Sequence, residues 1–227
     1  MKALILCGGL ATRLREHAGE FPKALLPVGN KPFVAYLFDQ IRSAGLSEVI
    51  LATGHLHDRI QEAAGSGEAF GLSVRYSRES RPLGTGGAVR LALDLLDDVF
   101  LVTNGDSFLD FDLSEFVSAQ AGGERPAMVL TEVTERGRYG TVTVEDGLVT
   151  GFREKDETSG GLINAGIYIL RKADFADVEA GRMVSLEEDL FPRWAPNVAA
   201  FVARGYFVDI GTPESYAAVR EGFPDAR

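Results

Sequence analysis

The chain has 227 residues, 45% of them hydrophobic and 25% charged, which suits one globular domain with a sizeable core. A formal charge of −10 argues against a surface that holds DNA or RNA, and no apolar run approaches the ~18 residues of a membrane span. A lone cysteine, Cys7, excludes an intrachain disulfide and a cysteine-based zinc cluster, and without a signal-peptide plan the expected location is the cytoplasm.

The first half alternates short apolar runs with amphipathic stretches. Residues 2–6 read as a buried strand that ends at Gly8-Gly9, and 33–44 carry apolar residues at helical spacing up to Gly45. A second strand is expected at 48–52, a helix at 57–64, a third strand at 73–76, a helix at 87–96 and a fourth strand at 99–103. Strands alternating with helices predict βαβ units and a mixed, mostly parallel central sheet in a Rossmann-like three-layer α/β fold. Ligands of such sheets sit at the carboxyl ends of the strands.

The second half is richer in strands, at 127–131, 140–144 and 148–152, with Asp146-Gly147 as a hairpin turn and a further apolar run at 162–170. Ser185 is placed to cap a helix with Glu188 in the capping-box position and Pro192 ending it early. Residues 198–202 and 206–210 are expected to close the sheet, and Pro213 to open a last helix. No linker, repeat or low-complexity segment divides the chain. It reads as a single domain over 1–227, with a nucleotide-binding part over about 1–110 and a sugar-phosphate-binding part over about 111–227.

The chemistry gathers first at Leu6-Cys7-Gly8-Gly9-Leu10-Ala11-Thr12-Arg13-Leu14. A strand running into two glycines lets the backbone approach a ligand and offer its N–H groups, and Arg13 adds a fork suited to phosphate oxygens. The segment is neither a P-loop nor a dinucleotide fingerprint. Residues 1–60 carry seven basic and five acidic side chains, so this head is slightly positive on an acidic body. Lys23 follows, held between Pro22 and Pro27, which fix the local backbone. A lysine pinned in this way suits an ammonium that must meet a ligand charge.

Gly8-Gly9-Leu10-Ala11-Thr12-Arg13-Leu14 followed by Pro22-Lys23-Ala24-Leu25-Leu26-Pro27-Val28 strongly resembles the sugar-1-phosphate nucleotidyltransferase family. Glu79 with Pro82-Leu83-Gly84-Thr85-Gly86-Gly87, the Asn164-Ala165-Gly166 segment and the terminal Val208-Asp209-Ile210-Gly211 look most like its D-glycero-α-D-manno-heptose 1-phosphate guanylyltransferase branch. The mannose-1-phosphate guanylyltransferase and N-acetylmuramate-1-phosphate uridylyltransferase branches share much of this pattern.

The resemblance implies a nucleoside triphosphate (GTP in that branch) and a sugar 1-phosphate as substrates, with a nucleotide sugar and pyrophosphate as products. It assigns catalysis to Arg13 and Lys23, and nucleotide binding to Leu6, Gly8, Gly9, Thr12, Arg13, Glu79, Pro82, Gly84, Thr85 and Gly105. Sugar-phosphate binding falls to Glu154, Lys155 and Asn164, and Mg²⁺ to Asp106 and Asp209. The residues agree: each aspartate ends an apolar strand, and Mg²⁺ takes one or two carboxylates beside phosphate oxygens. A carboxylate at Glu79 could accept from the N1–H and amino group of guanine.

A non-catalytic nucleotide-sugar sensor is the rival reading, but it should lack the arginine, the lysine or a metal aspartate, and all are present. His55 and His57, without a third ligand, read as loop or helix-cap residues, Cys7 as a small packing residue, and Trp194 as core. Assembly as a homo-oligomer is left open.

Overall fold

The computed structural model describes residues 1–9, 21–133, 139–153 and 160–223. In chain order these form β1 (Ala3–Leu6), a 3₁₀ turn (Lys23–Leu25), β2 (Pro27–Val28), β3 (Lys31–Pro32), α1 (Phe33–Ser43), β4 (Glu48–Thr53), α2 (His57–Ala64), β5 (Ser73–Arg78), α3 (Gly84–Ala92), β6 (Val99–Asn104), β7 (Ser107–Leu109) and α4 (Leu113–Gln120). Then come β8 (Ala127–Val133), β9 (Thr141–Glu145), β10 (Leu148–Arg153), β11 (Gly161–Arg171), a π-helical turn (Leu186–Leu190), α5 (Phe191–Trp194), β12 (Val198–Val202), β13 (Phe207–Asp209) and α6 (Pro213–Val219). None of the described helices is long and apolar enough to cross a membrane.

Nine strands share one mixed sheet in the order β5-β4-β1-β6-β11-β8-β12-β10-β9. The first four pair in parallel, β8 pairs β12 in parallel, and the other neighbours are antiparallel. The parallel run holds the βαβ units of the first half, as alternation predicted. Side chains alternate across it: Ala3 and Ile5 enter one buried cluster, Leu4 the other. The first cluster takes the inner faces of α1, α2, α4 and α6, the second those of α3 and α5, which makes three layers.

Three expectations need correction. Residues 206–210 do not close the main sheet; β13 pairs with β7 in a separate two-stranded ribbon, Asp209 opposite Ser107. The third helix begins at Gly84 rather than 87, and its last turn tightens to 3₁₀ at Leu93–Leu95. Pro192 does not end the Ser185 helix, which passes through a wide π turn and continues to Trp194. Proline lacks an N–H and tolerates the first turn of a helix, so a register change just before it costs little.

The C-terminal helix clamps the hairpin that follows Lys23. The Tyr216 hydroxyl donates to Pro27 O at 2.9 Å, Gly29 N donates to Arg220 O at 2.9 Å, and Tyr36 donates to Val28 O at 3.0 Å. Phe223 stacks on Phe108 with ring centroids 4.9 Å apart and meets Tyr36 edge-on.

Candidate functional site

At the carboxyl ends of β1, β4, β5 and β6 the sheet opens into a cleft of about 740 Å³. The glycine turn lines it with Leu6, Cys7, Gly8 and Gly9, and the opposite wall carries Glu79, Pro82, Gly84 and Thr85. Lys23, Gly105, Asp106 and Asp209 close the floor. All described residues expected at the nucleotide, together with Lys23 and both candidate metal ligands, therefore meet in one place. Thr12, Arg13, Glu154 and Lys155 lie outside the described residues.

Lys23 reaches the floor because its neighbours are anchored. Ala24, Leu25 and Leu26 are buried, and the turn is closed by Leu25 N donating to Pro22 O and Leu26 N to Lys23 O. The ammonium is thus held against the Asp106 carboxylate, Nζ to Oδ2 2.8 Å. Gly105 permits the close crossing of β6 over β1. Its N–H donates to Leu6 O at 3.0 Å, and a Cβ there would lie only 2.6 Å from that same oxygen.

Asp106 and Asp209, a hundred residues apart, come to the same wall through the β7–β13 pairing and through Ile210 N, which donates to Asp106 O at 2.9 Å. Asp209 Oδ1 accepts from Gly211 N. Hard carboxylate oxygens on adjacent strand ends suit a magnesium ion that completes its shell with phosphate and water. The charge balance points the same way. Among the described lining residues one cation, Lys23, faces five carboxylates: Glu79, Asp106, Glu187, Glu188 and Asp209. A triphosphate could not enter such a cleft without further positive charge.

Glu79 sits under the glycine turn, where a Cβ on Gly8 would be 2.9 Å from its Oε1. Its Oε2 accepts from Leu83 N at 3.1 Å, and burial nevertheless pushes its pKa above the ordinary carboxylate value. Gly84 opens α3 with φ +71°, a conformation that favours glycine, and a Cβ would meet Val184 O at 2.5 Å. Thr85 does not cap this helix: its hydroxyl donates to Glu187 Oε2 at 2.6 Å and accepts from Leu186 N at 2.8 Å.

A second cleft of about 270 Å³ adjoins the first and shares Asn104, Glu187 and Asp209 with it. Asn164 lines this second cleft, at an irregularity in β11. Its side chain is already engaged, Nδ2 donating to the Tyr168 hydroxyl at 2.8 Å and Oδ1 accepting from Gly166 N at 2.9 Å.

Two residues at the seam escaped the sequence reading. Asn104 lies two residues before Asp106, and among the described residues its buried Oδ1 has no hydrogen-bond partner. Glu187 lies between Ser185 and Glu188, the pair expected to form a capping box. Ser185 does cap, accepting from Glu188 N at 3.1 Å, but its own N–H donates to Asp189 Oδ2 rather than to Glu188. Glu187, held by the hydroxyls of Thr85, Ser185 and Tyr168, lines both clefts.

The weaker candidates resolve simply. Burial and the charge of Asp106 push the Cys7 thiol up to about 12, so it packs and does not attack. His57 is buried at the start of α2, its ring hydrogen-bonded to the Thr53 hydroxyl at 2.8 Å and set edge-on against Tyr76. Trp194 is half-buried against Phe175 and Phe191. No group of three or more histidine, cysteine or acidic residues fit to hold a metal occurs among the described residues.

Residues 2–225 match the family model described as nucleotidyl transferase. A D-glycero-alpha-D-manno-heptose 1-phosphate guanylyltransferase of Campylobacter jejuni is 39% identical over 95% of this chain and 97% of its own. One from Aneurinibacillus thermoaerophilus is 36% identical over 95% of each. Among solved structures, HddC from Yersinia pseudotuberculosis superposes with a TM-score of 0.86 at 32% identity, covering 97% of this chain and 98% of that one. HddC has also been solved in complex with GMP-PN, with the same score and coverage.

Proposed function

This chain belongs to the nucleotidyl transferase family, and from that premise we propose that it joins GTP to D-glycero-α-D-manno-heptose 1-phosphate, releasing pyrophosphate and GDP-heptose. The observation that carries the reading is the seam. Two clefts, one of nucleotide size and one smaller, meet at Asn104, Glu187 and Asp209, beside the Lys23–Asp106 pair. Two phosphorylated substrates placed end to end would put the α-phosphorus of one against the phosphate of the other there.

The chemistry is an in-line displacement. A sugar-phosphate oxygen forms a bond to the α-phosphorus as the bond to the bridging oxygen of the β-phosphate breaks, and pyrophosphate leaves with the electron pair. The attacking oxygen is already anionic, so no protein base is needed. The protein's work is positioning and charge compensation. Lys23 exchanges Asp106 for the α-phosphate region, and Arg13 answers the charge on the departing β- and γ-phosphates. Asp106 and Asp209 would hold Mg²⁺, which would supply positive charge to offset that of the phosphates.

Base and sugar are held by different elements. Leu6, Gly8, Gly9, Thr12, Pro82, Gly84, Thr85 and Gly105 enclose the nucleotide. The Glu79 carboxylate accepts from the N1–H and amino group of guanine, a pair that uracil does not offer. Glu154, Lys155 and Asn164 take the sugar phosphate. A GTP-using enzyme with one free thiol fits a cytoplasmic location.

The test is pyrophosphate release across four nucleoside triphosphates and a set of sugar 1-phosphates (heptose, mannose, glucose, N-acetylmuramate). The reading predicts the highest kcat/KM for GTP with the heptose phosphate. Binding of both ligands without turnover would favour a sensor, and a preference for UTP would overturn the base assignment.

A further inference from the structure

Glu187 is an anion in a site built for anions; Lys23 shares the larger cleft with it and Arg153 the smaller one, but among the described residues its hydrogen bonds come from neither. Its neighbours are hydroxyls. Among the described residues Oε2 accepts from Thr85 at 2.6 Å and from Ser185 at 3.1 Å, whereas Oε1 accepts only from Tyr168, at a longer 3.3 Å. Thr85 starts the helix of the nucleotide cleft, and Tyr168 stands beside Asn164 of the second cleft, so the carboxylate bridges the two walls. A carboxylate placed there repels phosphate and accepts from neutral donors. Among its described contacts the spare capacity is on Oε1, the oxygen turned to Tyr168, whose hydroxyl also meets Asn164 of the smaller cleft.

We propose that Glu187 is a specificity residue for the acceptor: its Oε1 takes a hydrogen bond from a ring hydroxyl of the bound sugar 1-phosphate. Thr85, Ser185 and Tyr168 hold the carboxylate in place, so the acceptor is read by a group pre-set from the nucleotide side. The ligand chemistry is that of a hydroxyl donor, which the ribose of the nucleotide could also supply. The saturation of Oε2, the oxygen on the nucleotide side, selects the acceptor sugar. The inference rests on the nucleotidyl transfer proposed above.

Glu187→Gln keeps the size and removes the charge. With GTP and mannose or heptose 1-phosphate, it should raise the KM of the sugar phosphate by about tenfold or more, the loss expected for a hydrogen bond to a charged group, with the KM of GTP unchanged within about twofold. Monodeoxy sugar 1-phosphates form the second arm. One of them should lose a similar factor on the unaltered protein and lose nothing more on Glu187→Gln, because the two changes remove one contact. Equal sensitivity of the two forms to every deoxy sugar would overturn the proposal. So would a matching effect with 2′- or 3′-deoxy-GTP in place of the sugars, which would assign the carboxylate to the ribose. If the variant does not fold by thermal melting, the unaltered protein still decides: no deoxy sugar losing about tenfold refutes the contact. Absence of turnover with every substrate pair on the unaltered protein would instead refute nucleotidyl transfer.

Discussion

Removing the Lys23 ammonium separates catalysis from stability. In the free protein the ammonium makes one ion pair, 2.8 Å from Asp106, with about a fifth of the lysine side chain and a third of the aspartate exposed. A pair this open to solvent contributes roughly 0–1 kcal/mol to folding. Ala24, Leu25 and Leu26 stay buried without it, so the turn should persist in Lys23→Ala. In the transition state the same charge faces the reacting phosphate inside a cleft whose other described charges are all negative. Loss of one such donor elsewhere costs about 2.7–4 kcal/mol, or roughly 10²–10³ in rate. Lys23→Ala should therefore lower kcat by about that factor while the melting temperature moves by only a few degrees. Lys23→Arg should restore little, because a planar fork cannot replace a compact charge held between two prolines. The assay is steady-state pyrophosphate release beside a thermal melt of the same samples. A kcat within about threefold of the unaltered protein would refute the role of Lys23, given the range expected for a lost donor. A collapse in melting temperature would refute the claim that the turn stands without it.

Further outcomes follow from the same geometry. Gly105→Ala forces a Cβ to within 2.6 Å of Leu6 O, so β6 must shift from β1; a loss of about 1–3 kcal/mol in denaturant unfolding, with a raised KM for GTP, is expected. Because burial raises the Glu79 pKa, its carboxyl takes up a proton at a higher pH in the folded chain than in the unfolded one. GTP affinity should accordingly weaken on acidification just above the ordinary carboxylate range. Glu79→Gln should abolish that dependence and narrow the preference for GTP over UTP, both read by calorimetric titration. The thiol of Cys7, pushed to about 12, should resist iodoacetamide at pH 8 in the folded protein and react in denaturant, by mass spectrometry. Tyr216→Phe removes the bond to Pro27 O and should cost about 1 kcal/mol of stability.

Much of the nucleotide half is local in origin and could be read from the chain. The Ala3–Leu6 strand, its glycine turn and the pinned Lys23 are encoded by neighbouring residues, and the structure places them as expected. Glu187 could not be read in that way. Its partners Thr85 and Tyr168 lie 102 and 19 residues earlier, and the Ser185 capping pattern already explained the acidic run around it. The misplacement of β13 has a similar cause. A short apolar run such as Phe207–Asp209 fits any sheet edge, and only its register with Ser107–Leu109 puts it in the ribbon that brings Asp209 beside Asp106. Asn104 gave no signal because its meaning lies in the depth at which β6 ends.

The central claim is that the α-phosphoryl group of GTP passes to a sugar phosphate. It is tested most directly by labelling GTP separately at the α- and γ-phosphates and incubating each with Mg²⁺ and heptose 1-phosphate. The α label should appear in the nucleotide sugar and the γ label in pyrophosphate, in equal amounts, with neither product formed when sugar phosphate or metal is withheld. Release of the γ label as free phosphate, or no transfer of the α label to sugar, would contradict the account.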